Sequence, residues 1–156
     1  MSTARSSVIP DLIDALVALG DSLLVDVTTT DGLPLASNPG SYFAVGVDDP
    51  GVTHAATSAQ STADWAGASL ANGMNEAGGV TCAAWATRGD GDPKAARDDV
   101  FAIHAALLAY TRTHVGLGVP GVWSTWIGGA DEFVQIQDEG GASAILRFTF
   151  NFKARI

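Results

Sequence analysis

The sequence predicts an α+β fold: a mainly antiparallel β-sheet with an N-terminal helix and a long helix on one face, closed by a long C-terminal β-hairpin. Three observations lead there. Residues 144–156 alternate, with Ala144, Leu146, Phe148, Phe150, Phe152, Ala154 and Ile156 on one side and Ile145, Arg147, Thr149, Asn151, Lys153 and Arg155 on the other. A period of two is the mark of a strand with one buried and one polar face, here about 44 Å long. Residues 92–116 carry an apolar stripe at 3–4 spacing, the mark of a helix. Short apolar runs bounded by Gly, Pro and Asp flank that helix on both sides, as strands between turns do.

In chain order, Val8 to Leu19 reads as the first helix, with Ile9, Leu12, Ile13, Leu16 and Leu19 apolar and Gly20 as its stop. Leu23 to Thr29 is β-branched and reads as a strand, followed by a Gly/Pro-punctuated loop from Asp31 to Gly40. Ser41 to Val47 is a second strand, stopped by Asp48-Asp49-Pro50-Gly51, and Val52 to Ser58 a weaker third. Residues 59–79, rich in Ala, Gly, Ser and Asn, show no regular period and read as a long excursion between strands. Val80 to Arg88 has no clearly polar face, so it reads as a central strand.

The long helix spans about 93–115, roughly 33 Å. Asp92 caps it, Pro93 suits its first position, Val100, Ile103, Leu107 and Tyr110 form its stripe with Phe101 and Leu108 widening it, and Gly116 ends it. Val122 to Ile127 and Glu132 to Gln137 read as strands, and Asp138-Glu139-Gly140-Gly141 turns tightly into the closing strand, making 132–156 a hairpin. No repeat or linker divides the chain, so residues 1–156 form one domain.

Composition narrows the function. Hydrophobic residues make up 47% of the chain and charged ones 16%, which fits a globular domain and not a disordered one. Charges break every apolar stretch well short of about 20 residues, so no membrane span is expected. Met1 to Pro10 has no apolar core ahead of a cleavage site, so no secretory leader is expected. The single Cys82 excludes an internal disulfide framework. A net charge of −9 argues against a nucleic-acid binder, whose affinity rests on cations facing phosphates. It fits either simple solubility or an acidic conduit along which DNA slides.

The search for chemistry finds no catalytic, cofactor-binding or metal-ligating set. His104 and His114, ten residues apart on one helix, point some 80° apart and sit nearly three turns distant. Asp48-Asp49-Pro50 and Asp90-Gly91-Asp92 could suggest divalent-metal loops, but in Asp90-Gly91-Asp92 the place of the bidentate glutamate is taken by Phe101, and both pairs read better as turn-former and helix cap. There is no Gly-x-Ser-x-Gly and no phosphate loop with its lysine, and the Gly67 to Gly79 stretch lacks a strand-to-helix context. Cys82, mid-strand among alanines, reads as a buried thiol. Of Trp65, Trp85, Trp123 and Trp126, Trp65 stands out: it is either an interface anchor or packed within its own loop. The basic face of Arg147, Lys153 and Arg155 is a DNA stripe, a contact for an acidic protein neighbour, or a solvated edge guarding against aggregation.

The assembled pattern resembles the bacteriophage tail terminators. The resemblance rests on the N-terminal helix, a strand ending in Val45-Gly46-Val47-Asp48-Asp49-Pro50, and a strand leading to Gly89-Asp90-Gly91-Asp92. The helix opening with Ala95-Ala96-Arg97 follows, and then the hairpin through Gly140-Gly141-Ala142 to Phe148-Thr149-Phe150-Asn151-Phe152-Lys153-Ala154-Arg155-Ile156. It covers most of 8–156, and 59–79 departs from it most. The resemblance implies a non-enzymatic virion protein forming a closed ring, commonly a homohexamer. That ring would cap the tail tube, join it to the head-side connector at the neck, and let genome DNA through without specific binding. It would be assembled in the bacterial cytoplasm, with no cofactor and no membrane. The hairpin 132–156 and the 59–79 stretch become the expected contact elements, with Trp65, Arg147, Thr149, Asn151, Lys153 and Arg155 as interface residues. Asp48-Asp49, Asp131-Glu132 and Asp138-Glu139 are alternative linings for the lumen. The rival readings are a head-completion or connector protein, a tail-tube subunit, and, from a different class, a small-ligand-binding domain or hydrolase.

Overall fold

The computed structural model describes residues 5–33, 40–47, 57–65, 73–129 and 131–156. The elements run α1 (Ile9–Leu23), β1 (Val27–Asp31), β2 (Gly40–Val45), β3 (Ala59–Trp65), β4 (Met74–Arg88), α2 (Pro93–Thr113), a 3-10 turn (Val115–Gly118), β5 (Val122–Ile127), β6 (Glu132–Asp138) and β7 (Gly141–Arg155). The strands form one α+β sheet in the order β1-β2-β4-β7-β5, with β3 on β4 and β6 on β7. Every pairing is antiparallel except β1 with β2, which is parallel.

Both helices cover the same face of the sheet. That face is built from Phe43 and Val45 of β2, Val80, Cys82, Ala84 and Ala86 of β4, and the even-numbered residues of β7, all buried. Leu12 and Leu16 of α1 and Val100, Ile103 and Leu107 of α2 close the same core. The Phe43 and Phe148 rings stack 6.2 Å apart at its centre. Asp92 caps α2 as its sequence predicts, accepting from the Lys94 and Ala95 amides at 3.0 and 3.2 Å. Phe101 is not part of the buried stripe; it is exposed and leans on Phe133 of β6, 5.3 Å between ring centroids.

Two stretches differ from the sequence expectation. Helix α1 does not stop at Gly20 but runs on to Leu23, and β1 starts only at Val27. Gly20 is buried where the helix meets the sheet: a Cβ there would lie 2.4 Å from Thr29 Oγ1 and 2.8 Å from Phe43 Cδ1. The glycine therefore buys close approach, not termination. The expected excursion at 59–79 is largely strand: residues 59–65 form β3, and β4 begins at Met74 instead of Val80. These small residues have little strand propensity of their own, but pairing against β4 overrides it. A Cβ on Gly78 would fall 2.0 Å from the Gln60 carbonyl oxygen, so the tight β3–β4 approach needs glycine there. The candidate strand Val52–Ser58 lies almost wholly outside the described residues, as do Asp48, Asp49 and His54.

The C-terminal strand is also not an edge. β7 pairs β4 along 142–155; on its other side β6 occupies 141–147 and β5 occupies 150–154. Its length serves its own sheet, because it hosts two successive partners on one flank. The hairpin itself is as expected, with Glu139 and Gly140 between the paired Asp138 and Gly141.

At the far end of β4, Glu76 is buried, with 2% of its surface exposed. Its carboxylate accepts from the Ser7 hydroxyl (2.5 Å) and the Val8 amide (2.8 Å), at the start of α1. Val8 has no capping side chain of its own, so a residue nearly 70 positions on caps this helix, at the positive end of its dipole.

Candidate functional site

The face of the sheet opposite the helices carries the odd-numbered residues of β4 and β7. Register places Lys153 beside Ala77, Asn151 beside Gly79, Thr149 beside Thr81 and Arg147 beside Ala83. The five predicted β7 residues therefore share one face, in a line. Their environments differ. Arg147 forms an ion pair with Glu132 of β6 at 2.9 Å. Thr149 lines a shallow groove of about 650 Å³ with Thr81, Gly79 and the Gln60 and Thr62 side of β3. Asn151 donates from Nδ2 to the Gly128 carbonyl at 2.8 Å, tying β7 to the turn after β5.

Lys153 has the most telling surroundings. Its ammonium lies 5.6 Å from the Trp123 ring centroid and 5.9 Å from that of Trp126. Residues three apart on a regular strand point to opposite faces. A register shift between Val122 and Ser124 inserts Trp123 as an extra residue, and the bulge lets both rings reach the same lysine. Trp123 is 57% exposed and Trp126 40%. Among the described residues no carboxylate pairs with Lys153 or with the exposed Arg155, two positions further along the same face. Cation–π contacts with two half-exposed indoles hold the ammonium without neutralising it.

Trp65 is not part of that line. It sits opposite Met74 on the helix-side face of β3, 71% exposed, at the same end of the sheet. Met74 bonds through both backbone groups to Ile156, and Val122 pairs with Ala154. Trp65, Met74, Arg155 and Trp123 thus follow one another across four strand ends. The sequence singled out Trp65 and the β7 residues; it missed the Trp123–Lys153–Trp126 cluster because a bulge leaves no mark in residue periodicity.

At the opposite edge and on the helix side, a groove of about 770 Å³ opens between the end of α1, α2 and the starts of β1 and β2. Leu24, Ile103 and Ala106 give it an apolar floor, and Asp26, Asp90 and Asp99 an acidic rim. Arg88 pairs with Asp99 at 2.7 Å. Asp26 holds a left-handed backbone, φ 56°, at the α1–β1 turn, and Val25 beside it is 82% exposed.

The groups with chemical potential do not gather. Cys82 is buried, and burial pushes its thiol up to about 12, so it stays protonated at neutral pH. His104 packs edge-on against Phe148 with Nε2 3.6 Å from Asp131, whereas His114 stacks on Tyr110. Among the described residues, no three His, Cys, Asp or Glu side chains converge as a metal ion would require. No described helix is long and apolar enough to cross a membrane. In comparison with known proteins, the chain matches no family model and no curated protein.

Proposed function

We propose that this chain is a structural virion protein, a phage tail terminator that forms a ring at the end of the tail tube and receives the head-side connector. The observation that carries this reading is the Trp123–Lys153–Trp126 cluster with Arg155 on the sheet face away from the helices, with the exposed Trp65 on the other face at the same end of the sheet. Exposed tryptophan and arginine are the side chains that most often anchor protein interfaces, and Trp65, Trp123, Trp126 and Arg155 lie outside the core. The element order that resembles the terminators supports the same reading. With a net charge of −9, a ring of such subunits would repel DNA phosphates and so pass the genome without gripping it. The ring is assembled in the host cytoplasm and carried in the virion neck.

Tail tubes test this. Tube protein encoded in the same phage genome is polymerised alone and with this chain, and tube lengths are read by electron microscopy. The reading expects short tubes with the chain at one tip. Tubes of unchanged length, or chain bound along their sides, would overturn it. A connector would instead bind head-side assemblies and leave tube length alone. Cutting off the end of β7 is no substitute, because Phe150 and Phe152 belong to the core and their loss would unfold the sheet.

A further inference from the structure

Resting on the ring reading above, we infer that the contact between neighbouring copies places the Trp123–Lys153–Trp126 cluster and Arg155 of one copy in the α1–α2 groove of the next. The two surfaces are complementary in kind. One offers two half-exposed indoles and two cations with no carboxylate partner among the described residues. The other offers an apolar floor of Leu24, Ile103 and Ala106 and an excess of carboxylate, since Asp26, Asp90 and Asp99 outnumber Arg88. In a chain with seventeen acidic residues and eight basic ones, a compact uncompensated basic patch is the scarce partner, and a second copy supplies its complement.

Their placement dictates the symmetry. The cluster lies on β5 and β7, and the groove is lined by β1 and β2, at the other end of the strand order. Along β4 the register position beside Arg155 is Asn75, while the groove reaches Thr87, about 40 Å away at strand rise. The surfaces also lie on opposite faces of the sheet. Two copies facing each other across a two-fold axis cannot make both contacts at once, so the contact is head-to-tail. Head-to-tail contacts close into a ring or run on as a filament. The exposed Val25, held out by the left-handed Asp26, gives the groove an apolar lip for the incoming indoles.

Charge exchange tests the contact. One variant carries Lys153→Glu and Arg155→Glu; the other carries Asp26→Lys and Asp90→Lys. All four side chains are on the surface, and circular dichroism with thermal melting checks that each variant folds as the wild type does. Light scattering and tube capping are the two assembly readouts. Each variant alone should associate about a hundredfold more weakly than wild type, since like charges then face each other. Mixed in equal amounts the variants should recover, because every contact in an alternating ring is again between opposite charges. If the folded variants assemble and cap like wild type, or the mixture fails to recover either readout, the contact is wrong. The ring reading is judged separately: tubes capped normally by both variants would keep it while removing this contact. Rings restored by mixing that leave tubes growing would keep the contact and overturn the terminator reading.

Discussion

Glu76→Ala removes the acceptor that holds the start of α1 to β4. In the native chain the carboxylate takes two hydrogen bonds, from the Ser7 hydroxyl at 2.5 Å and the Val8 amide at 2.8 Å, and both Glu76 and Val8 are buried. With alanine the Val8 N–H has no acceptor and little access to water, which costs about 1–3 kcal/mol. Loss of a negative charge at the positive end of the helix dipole adds roughly 0.3–2 kcal/mol. The sum is about 1–5 kcal/mol, or a fall in melting temperature of roughly 3–20 °C for a chain of this size. Glu76→Gln keeps an acceptor for the amide and should lose only about 1 kcal/mol. Urea unfolding followed by tryptophan fluorescence measures both. An alanine variant within about 0.5 kcal/mol of wild type, or a glutamine variant as damaged as the alanine, would refute the cap.

Four further outcomes rest on other parts of the fold. Gly20→Ala forces a methyl into the contact with Thr29 and Phe43 and should destabilise by about 1–3 kcal/mol in denaturant melts, although alanine is the better helix former. Asp92→Ala removes the acceptor for the Lys94 and Ala95 amides and should cost about 0.5–2 kcal/mol by the same assay, with Asp92→Asn costing less. The Cys82 thiol, pushed from 9.0 to about 12, should resist maleimide at pH 8 until the protein is unfolded, because only about one thiol in ten thousand is ionised there. Above pH 9 the unfolded chain releases that proton while the native one keeps it. Cys82 should then lower stability by roughly 1 kcal/mol per pH unit as pH rises from 9 toward 12, a contribution that Cys82→Ala removes.

The elements with a strong internal period were legible in the sequence. The alternation in 144–156 and the capped stripe after Asp92 became β7 and α2, since both patterns report one buried face, which is a local property. What failed was whatever depended on a neighbour. Gly20 looks like a stop until Thr29 and Phe43 are placed against it. Residues 59–65 and 74–79 look structureless because Gly78 and Gly79 are there for close backbone approach, which no propensity records. The alternation in β7 gives its buried face but not the number of its partners, so the sequence shows the 132–156 hairpin without showing that β7 is an interior strand with β4 on one flank and β5 and β6 on the other. The candidate surface followed the same rule. The shared face of Arg147, Thr149, Asn151, Lys153 and Arg155 came from the period of two, whereas the indoles that flank Lys153 are brought there by a bulge.

The tail-terminator proposal is tested most directly by a cryo-electron reconstruction of the head–tail junction in a phage that encodes this polypeptide. The account predicts one closed ring of copies seated on the last layer of the tube, with Trp123 and Trp126 of β5 in each copy buried against the next. Density for the chain repeated down the tube, confined to the head, or missing from the particle would contradict it.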